Sequence, residues 1–98
     1  MYESKLKSQD LDRLFKAVLS LKSLEECYKF FEDVCTISEL VSISQRMKVA
    51  ALLREHHTCH DISETVGAST ATISRVNRCL LYGTGGYDIV LDRIKEDK

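Results

Sequence analysis

The chain has 98 residues, 44% of them apolar and 30% charged, with a formal net charge of −1. This is ordinary for one soluble globular domain, or most of one, and the near-neutral balance gives no bulk signal for a polyanionic partner. The N-terminal MYESKLKSQDLDRL lacks the apolar core of a signal peptide, and the longest aliphatic run, Val49 to Leu53, cannot span a membrane. The expectation is a cytoplasmic protein with no membrane partner.

Four cysteines, Cys27, Cys35, Cys59 and Cys79, show no paired or repeated spacing. Nothing suggests secretion, so they read as free thiols, with Cys27 and Cys79 expected to pack between helices.

The chain reads as helical nearly throughout. Leu11, Leu14, Phe15, Val18 and Leu19 recur at spacings of three and four, the mark of an amphipathic helix. Ser23-Leu-Glu-Glu26 is a capping box that restarts a helix carrying Cys27, Phe30, Phe31 and Val34. These two helices, about residues 8–35, hold more apolar surface than so short a chain easily covers. Either a dimer interface or a self-contained bundle core would cover it, and the dimer is the more economical.

Thr36-Ile-Ser-Glu39 is a second capping box and opens a long helix, about 36–56, with apolar positions Leu40, Ile43, Met47, Ala50, Ala51 and Leu53. His56-His57 sits where that helix should stop. With Cys59 and His60, these histidines offer zinc-ligand chemistry. Four ligands within five residues cannot all converge on one ion, however, and helix-end polar residues are the simpler reading. No orienting group or oxyanion site accompanies Cys59, so no catalytic residue is expected.

Residues 59–78, CHDISETVGASTATISRVNR, have the pattern of a helix-turn-helix within a segment of about 59–81. Gly67 suits the left-handed turn position. Ile62 and Val66 share one face of the first helix, and Ile73 and Val76 one face of the second; Ala68 lies between them. Ser63 is small where the helices would crowd, and Ser69 is a good N-cap for the second helix.

The outward residues of that second helix are Ser69, Thr70, Ala71, Thr72, Ser74, Arg75 and Arg78. Hydroxyls can bond base edges or phosphates, Ala71 and the Thr methyls can touch a thymine methyl, and arginine can fork to guanine or clamp phosphate. Between Thr65 and Tyr87 the only charges are Arg75 and Arg78. Residues 44–82 hold five Lys/Arg against three Asp/Glu, whereas residues 1–43 hold six against eight. These features predict a face for double-stranded DNA; the rival reading is a helical protein-interaction module that binds no DNA. Gly83-Thr-Gly-Gly86 then breaks the pattern without the Gly-Lys-Ser/Thr of a phosphate loop. A last helix, about 87–95, is expected to pack through Ile89, Val90 and Ile94.

At these residues the chain resembles the Trp repressor family. Gly67-Ala-Ser-Thr-Ala-Thr-Ile-Ser-Arg75 looks like that family's turn and recognition helix. Thr36-x-x-Glu39 and the Arg46-bearing helix match the segment before it, and the likeness runs from about Thr36 to Ile94. Tyr82-Gly-Thr-Gly-Gly-Tyr87 and Leu91-Asp-Arg93 are closer still to the Trp-repressor-like YerC/YecD subgroup.

The resemblance implies a single all-α domain over residues 1–98, with N-terminal helices intertwined in a homodimer. It also implies a transcriptional regulator, a repressor, on a pseudo-palindromic operator. The family's effector pocket would fall on Thr36, Arg46, Arg75, Val76 and Cys79. Where the family has a glycine for ligand clearance this chain has Val76, and where it has a serine this chain has Cys79. The expectation is therefore no required cofactor, no tryptophan control, and at most a different, unidentified small-molecule effector.

Overall fold

The computed structural model describes residues 2–94. It contains six helices and, among the described residues, no strand: α1 (Gln9–Leu19), α2 (Leu24–Val34), α3 (Ile37–Arg54), α4 (Cys59–Val66), α5 (Thr70–Tyr82) and α6 (Gly86–Ile94). None is long and apolar enough to cross a membrane. The expected end of the last helix at Lys95 lies outside the described residues. The chain divides into two compact units, one ending at Ile37 and the other beginning at Ser38.

The first unit holds α1 and α2. Ser8 caps α1 by accepting the Leu11 N–H, and Ser23 caps α2 by accepting the Glu26 N–H. The Glu26 carboxylate accepts from the Lys22 N–H at 2.9 Å, one residue before the position a regular capping box uses. Neither helix has a buried residue. Phe15, Leu19 and Val34 are exposed, while Phe30 and Phe31 are half-buried with their rings edge to face at 5.2 Å. The two helices are thus formed and capped locally, with no interior of their own.

The second unit has the core. Val49 and Ala50 of α3, Ile62 of α4, Ala68 in the turn, Ile73 and Val76 of α5 and Leu91 of α6 are buried together. Met47, Ala51, Leu52, Leu53, Val66, Leu80 and Tyr87 pack around them.

Three expectations change here. Val49 joins the core, whereas Ile43 is exposed. Cys79 is exposed rather than packed; Cys27 is half-buried, and all four cysteines are free. In α6, Ile89, Val90 and Ile94 face outward, while Leu91 and Tyr87, one turn apart, face the core.

The end of α3 is a Schellman turn. His56 takes φ +69°, the His57 N–H donates to the Leu52 carbonyl, and the His56 N–H to the Leu53 carbonyl. Arg54, in the last turn, reaches α6. Its guanidinium donates to Asp92 at 2.6 Å and lies 3.5 Å from Asp88. The hydrogen bond to Asp92 raises the Arg54 pKa above its usual range, outweighing the opposing effect of desolvation, with the charges of Asp92 and Asp88 adding to the rise.

Candidate nucleic-acid interface

The helix-turn-helix is built by three local devices in sequence. Thr58 starts α4 by accepting the Asp61 N–H at 3.1 Å. Gly67 ends it at φ +82°, where its N–H donates to the Ser63 carbonyl at 2.9 Å. Ser69 then starts α5 by accepting the Thr72 N–H at 3.1 Å. Between cap and cap, Ala68 is buried, so the turn is pinned to the core from within.

The inner face of α5 is set by Ile73, Val76 and Leu80 at spacings of three and four. Opposite it, at 100° per residue, lies a stripe of Ala71, Ser74, Arg75 and Arg78, all exposed. Thr70 flanks this stripe and is also exposed. Among the described residues, the side chains of Thr70, Ser74, Arg75 and Arg78 have no hydrogen-bond or ion-pair partner, which leaves them free for an external one.

Ser69 and Thr72 differ from the rest of the expected face. The Ser69 hydroxyl accepts from the Thr72 N–H and donates to Thr72 Oγ1 at 3.1 Å, and Thr72 is half-buried. Both hydroxyls are committed to starting the helix. Asn77, in contrast, was not among the expected residues. It is exposed, has no side-chain partner among the described residues and lies on the Thr70 edge of the stripe. An amide there can bond adenine in bidentate fashion. An asparagine at mid-helix, where its propensity is poor, is the signal that could have found it.

The residues expected to line an effector pocket differ in their individual surroundings. Val76 is fully buried inside the core. Arg46 is half-buried, with its Nε donating to the Ser42 carbonyl one turn back at 3.5 Å, and Arg75 is on the outward stripe. Thr36 belongs to the first unit. Cys79 borders an open cavity of about 500 Å³, with mainly apolar walls, together with Met47, Tyr87 and the Gly83–Gly86 segment.

No group of three or more His, Cys, Asp or Glu side chains is arranged to hold a metal among the described residues. His57 sits 3.6 Å from Glu55 and His60 3.8 Å from Glu64, separate surface pairs rather than a shared site.

A left-handed turn between two capped helices, with one helix face bare and cationic, defines a helix-turn-helix protein of the all-α class. Residues 9–95 match the family model described as Trp repressor protein, and the chain belongs to that family of DNA-binding transcription regulators. It is 57% identical over 96 residues to YerC of Bacillus subtilis (strain 168), itself uncharacterised; the alignment covers 98% of this chain and 92% of that one.

Two solved structures share the fold. A TrpR-like protein from Eubacterium eligens ATCC 27750 superposes with a TM-score of 0.89 at 63% identity, covering 93% of this chain and 94% of the other. A proposed Trp repressor from Staphylococcus aureus gives a TM-score of 0.89 at 48% identity, covering 93% and 91%.

Proposed function

We propose that the chain is a homodimeric, sequence-specific transcriptional repressor that places α5 of each protomer in successive major grooves of a pseudo-palindromic operator. The observation that carries this reading is the outward stripe of α5. Its arginines are unpaired among the described residues, its small polar side chains let the backbone approach the duplex, and no acid lies between Thr65 and Tyr87 to repel phosphate. Thr70, Ala71 and Ser74 read bases, Arg75 and Arg78 hold phosphate or guanine, and Ser69 and Thr72 fix the helix start from which the others project.

Tryptophan does not control this chain. Val76 is enclosed by the core at the position where the family keeps a glycine for its ligand, so a ligand there would have to displace packed side chains.

Selection of bound duplexes from a random DNA pool tests the reading directly. The expected result is a two-fold symmetric site with half-sites about 10 base pairs apart, centre to centre. Recovery of no enriched sequence at low salt would count against it and favour the protein-interaction module. Calorimetry with L-tryptophan is expected to show no heat of binding, and micromolar affinity would sink the second claim.

A further inference from the structure

The turn of the helix-turn-helix is held by one side chain that does not face DNA. Ser63, half-buried on α4, grips both sides of the left-handed residue Gly67. Its carbonyl accepts the Gly67 N–H at 2.9 Å, and its hydroxyl donates to the Ala68 carbonyl at 3.1 Å. Ala68 immediately precedes Ser69, the cap from which α5 departs. The hydroxyl bond therefore fixes the peptide that aims the recognition helix.

We infer that Ser63 is a positioning residue for sequence reading: its hydroxyl sets the direction in which α5 leaves the turn. The inference rests on the DNA-binding reading above.

Its leverage comes from length. Ser74, a proposed base reader, lies four residues beyond Thr70, about 6 Å along the axis, so a tilt of about 5° at the turn moves it by about 0.5 Å and moves Arg78, about 12 Å out, by about 1 Å. Base-edge hydrogen bonds tolerate only a few tenths of an ångström, whereas phosphate contacts by flexible arginines tolerate more. A loosened turn should therefore blur sequence reading before it weakens bulk attraction. Gly67 cannot resist that tilt by itself, because a glycine has the widest backbone freedom of any residue.

The test compares a 20-base-pair duplex recovered by selection with poly(dI-dC), using the full-length protein. Ser63→Ala keeps the site small and suits the helix, so the lost bond is partly offset by alanine's helix propensity, and the melting midpoint should stay within about 5 °C. Ser63→Cys keeps the shape but offers a poor donor. Both variants should lower the ratio of selected-site to poly(dI-dC) affinity about fivefold, the lower end of the cost of one misplaced base contact. Affinity for poly(dI-dC) and the salt slope should be unchanged, and Ser63→Thr, which retains the hydroxyl, should restore the ratio.

A ratio within twofold of wild type in Ser63→Ala would overturn the inference. So would equal losses on both duplexes accompanied by a fallen melting midpoint, which would make Ser63 a stability residue only. If the wild-type chain itself shows no preference between the duplexes, the DNA-reading proposal fails first and this one with it.

Discussion

Three positions show how a single residue's chemistry shapes the candidate interface. Arg78 is exposed on the outward stripe and unpaired among the described residues, so its charge is available to phosphate. Arg78→Ala should weaken binding to all duplexes alike and reduce the salt slope by about one, measured by titration across salt concentrations. A change in preferred sequence with an unaltered slope would instead make Arg78 a base reader.

Gly67 and Gly83 both resist a side chain, for different reasons. A Cβ on Gly67 would meet nothing within 4 Å, so only its φ of +82° opposes substitution. Gly67→Ala should cost about 1–2 kcal/mol, the strain of a left-handed alanine, and lower the melting midpoint by about 5–10 °C. A Cβ on Gly83 would lie 2.4 Å from the Cys79 carbonyl oxygen, which already accepts the Gly83 N–H at 2.8 Å. Gly83→Ala must therefore open the last turn of α5. Its thermal melt should show the larger loss of the two.

At the level of elements, α6 is held to the core by little apolar contact and one ionic clasp. Leu91 is its buried anchor, with Tyr87 half-buried one turn earlier, and Arg54 bridges to Asp88 and Asp92. Leu91→Ala should cost about 2–3 kcal/mol, toward the lower end for a leucine because the site lies at the core's edge. Arg54→Gln removes the charge but not the reach. It should speed amide exchange in α6 while leaving α4 and α5 protected, because the clasp touches neither.

How much of this was legible in the sequence varies with the element. Gly67 and the caps at Ser23 and Ser69 were readable because each rests on a local rule linking residue type to backbone conformation. The pairs Ile62/Val66 and Ile73/Val76 were readable because polar residues separate them, so their period is unambiguous. Val49 and Leu91 were missed for the opposite reason. Each lies in a run of consecutive apolar residues, Val49–Leu53 and Ile89–Leu91, where every phase fits and only the tertiary partner decides which face is inside. The Arg54 clasp joins residues 38 apart and has no local signal at all. The division of hydroxyls between cap and face was equally hidden, since Ser69, Thr70, Thr72 and Ser74 look alike until their hydrogen bonds are drawn.

For the whole molecule, the decisive contrast is between a second unit with a closed core and a first unit without one. Residues 9–34 form two well-capped amphipathic helices in which no side chain is buried, and Phe15, at 57% exposure, and Leu19, at 84%, present their apolar groups to water. Isolated helices of 11 residues are marginal in water, so these need a covering surface to persist. In the homodimer proposed above, a second copy of the chain would supply one by two-fold symmetry, since the same face would then be covered on both protomers at once. The same symmetry would set two α5 helices against two half-sites, so the proposal links oligomeric state to operator shape.

Two consequences separate this arrangement from a monomer. The melting midpoint should rise with protein concentration, as it does when folding and association are coupled. Phe15→Glu should convert a dimer into a monomer in sedimentation equilibrium, because two carboxylates would face the apolar surface that must be buried. That variant leaves the core of the second unit untouched, so it should still bind bulk DNA weakly at low salt. It should no longer bind a two-half-site duplex more tightly than a single half-site. A Phe15→Glu protein that sediments as a dimer and keeps the two-site advantage would show that α1 does not carry the interface.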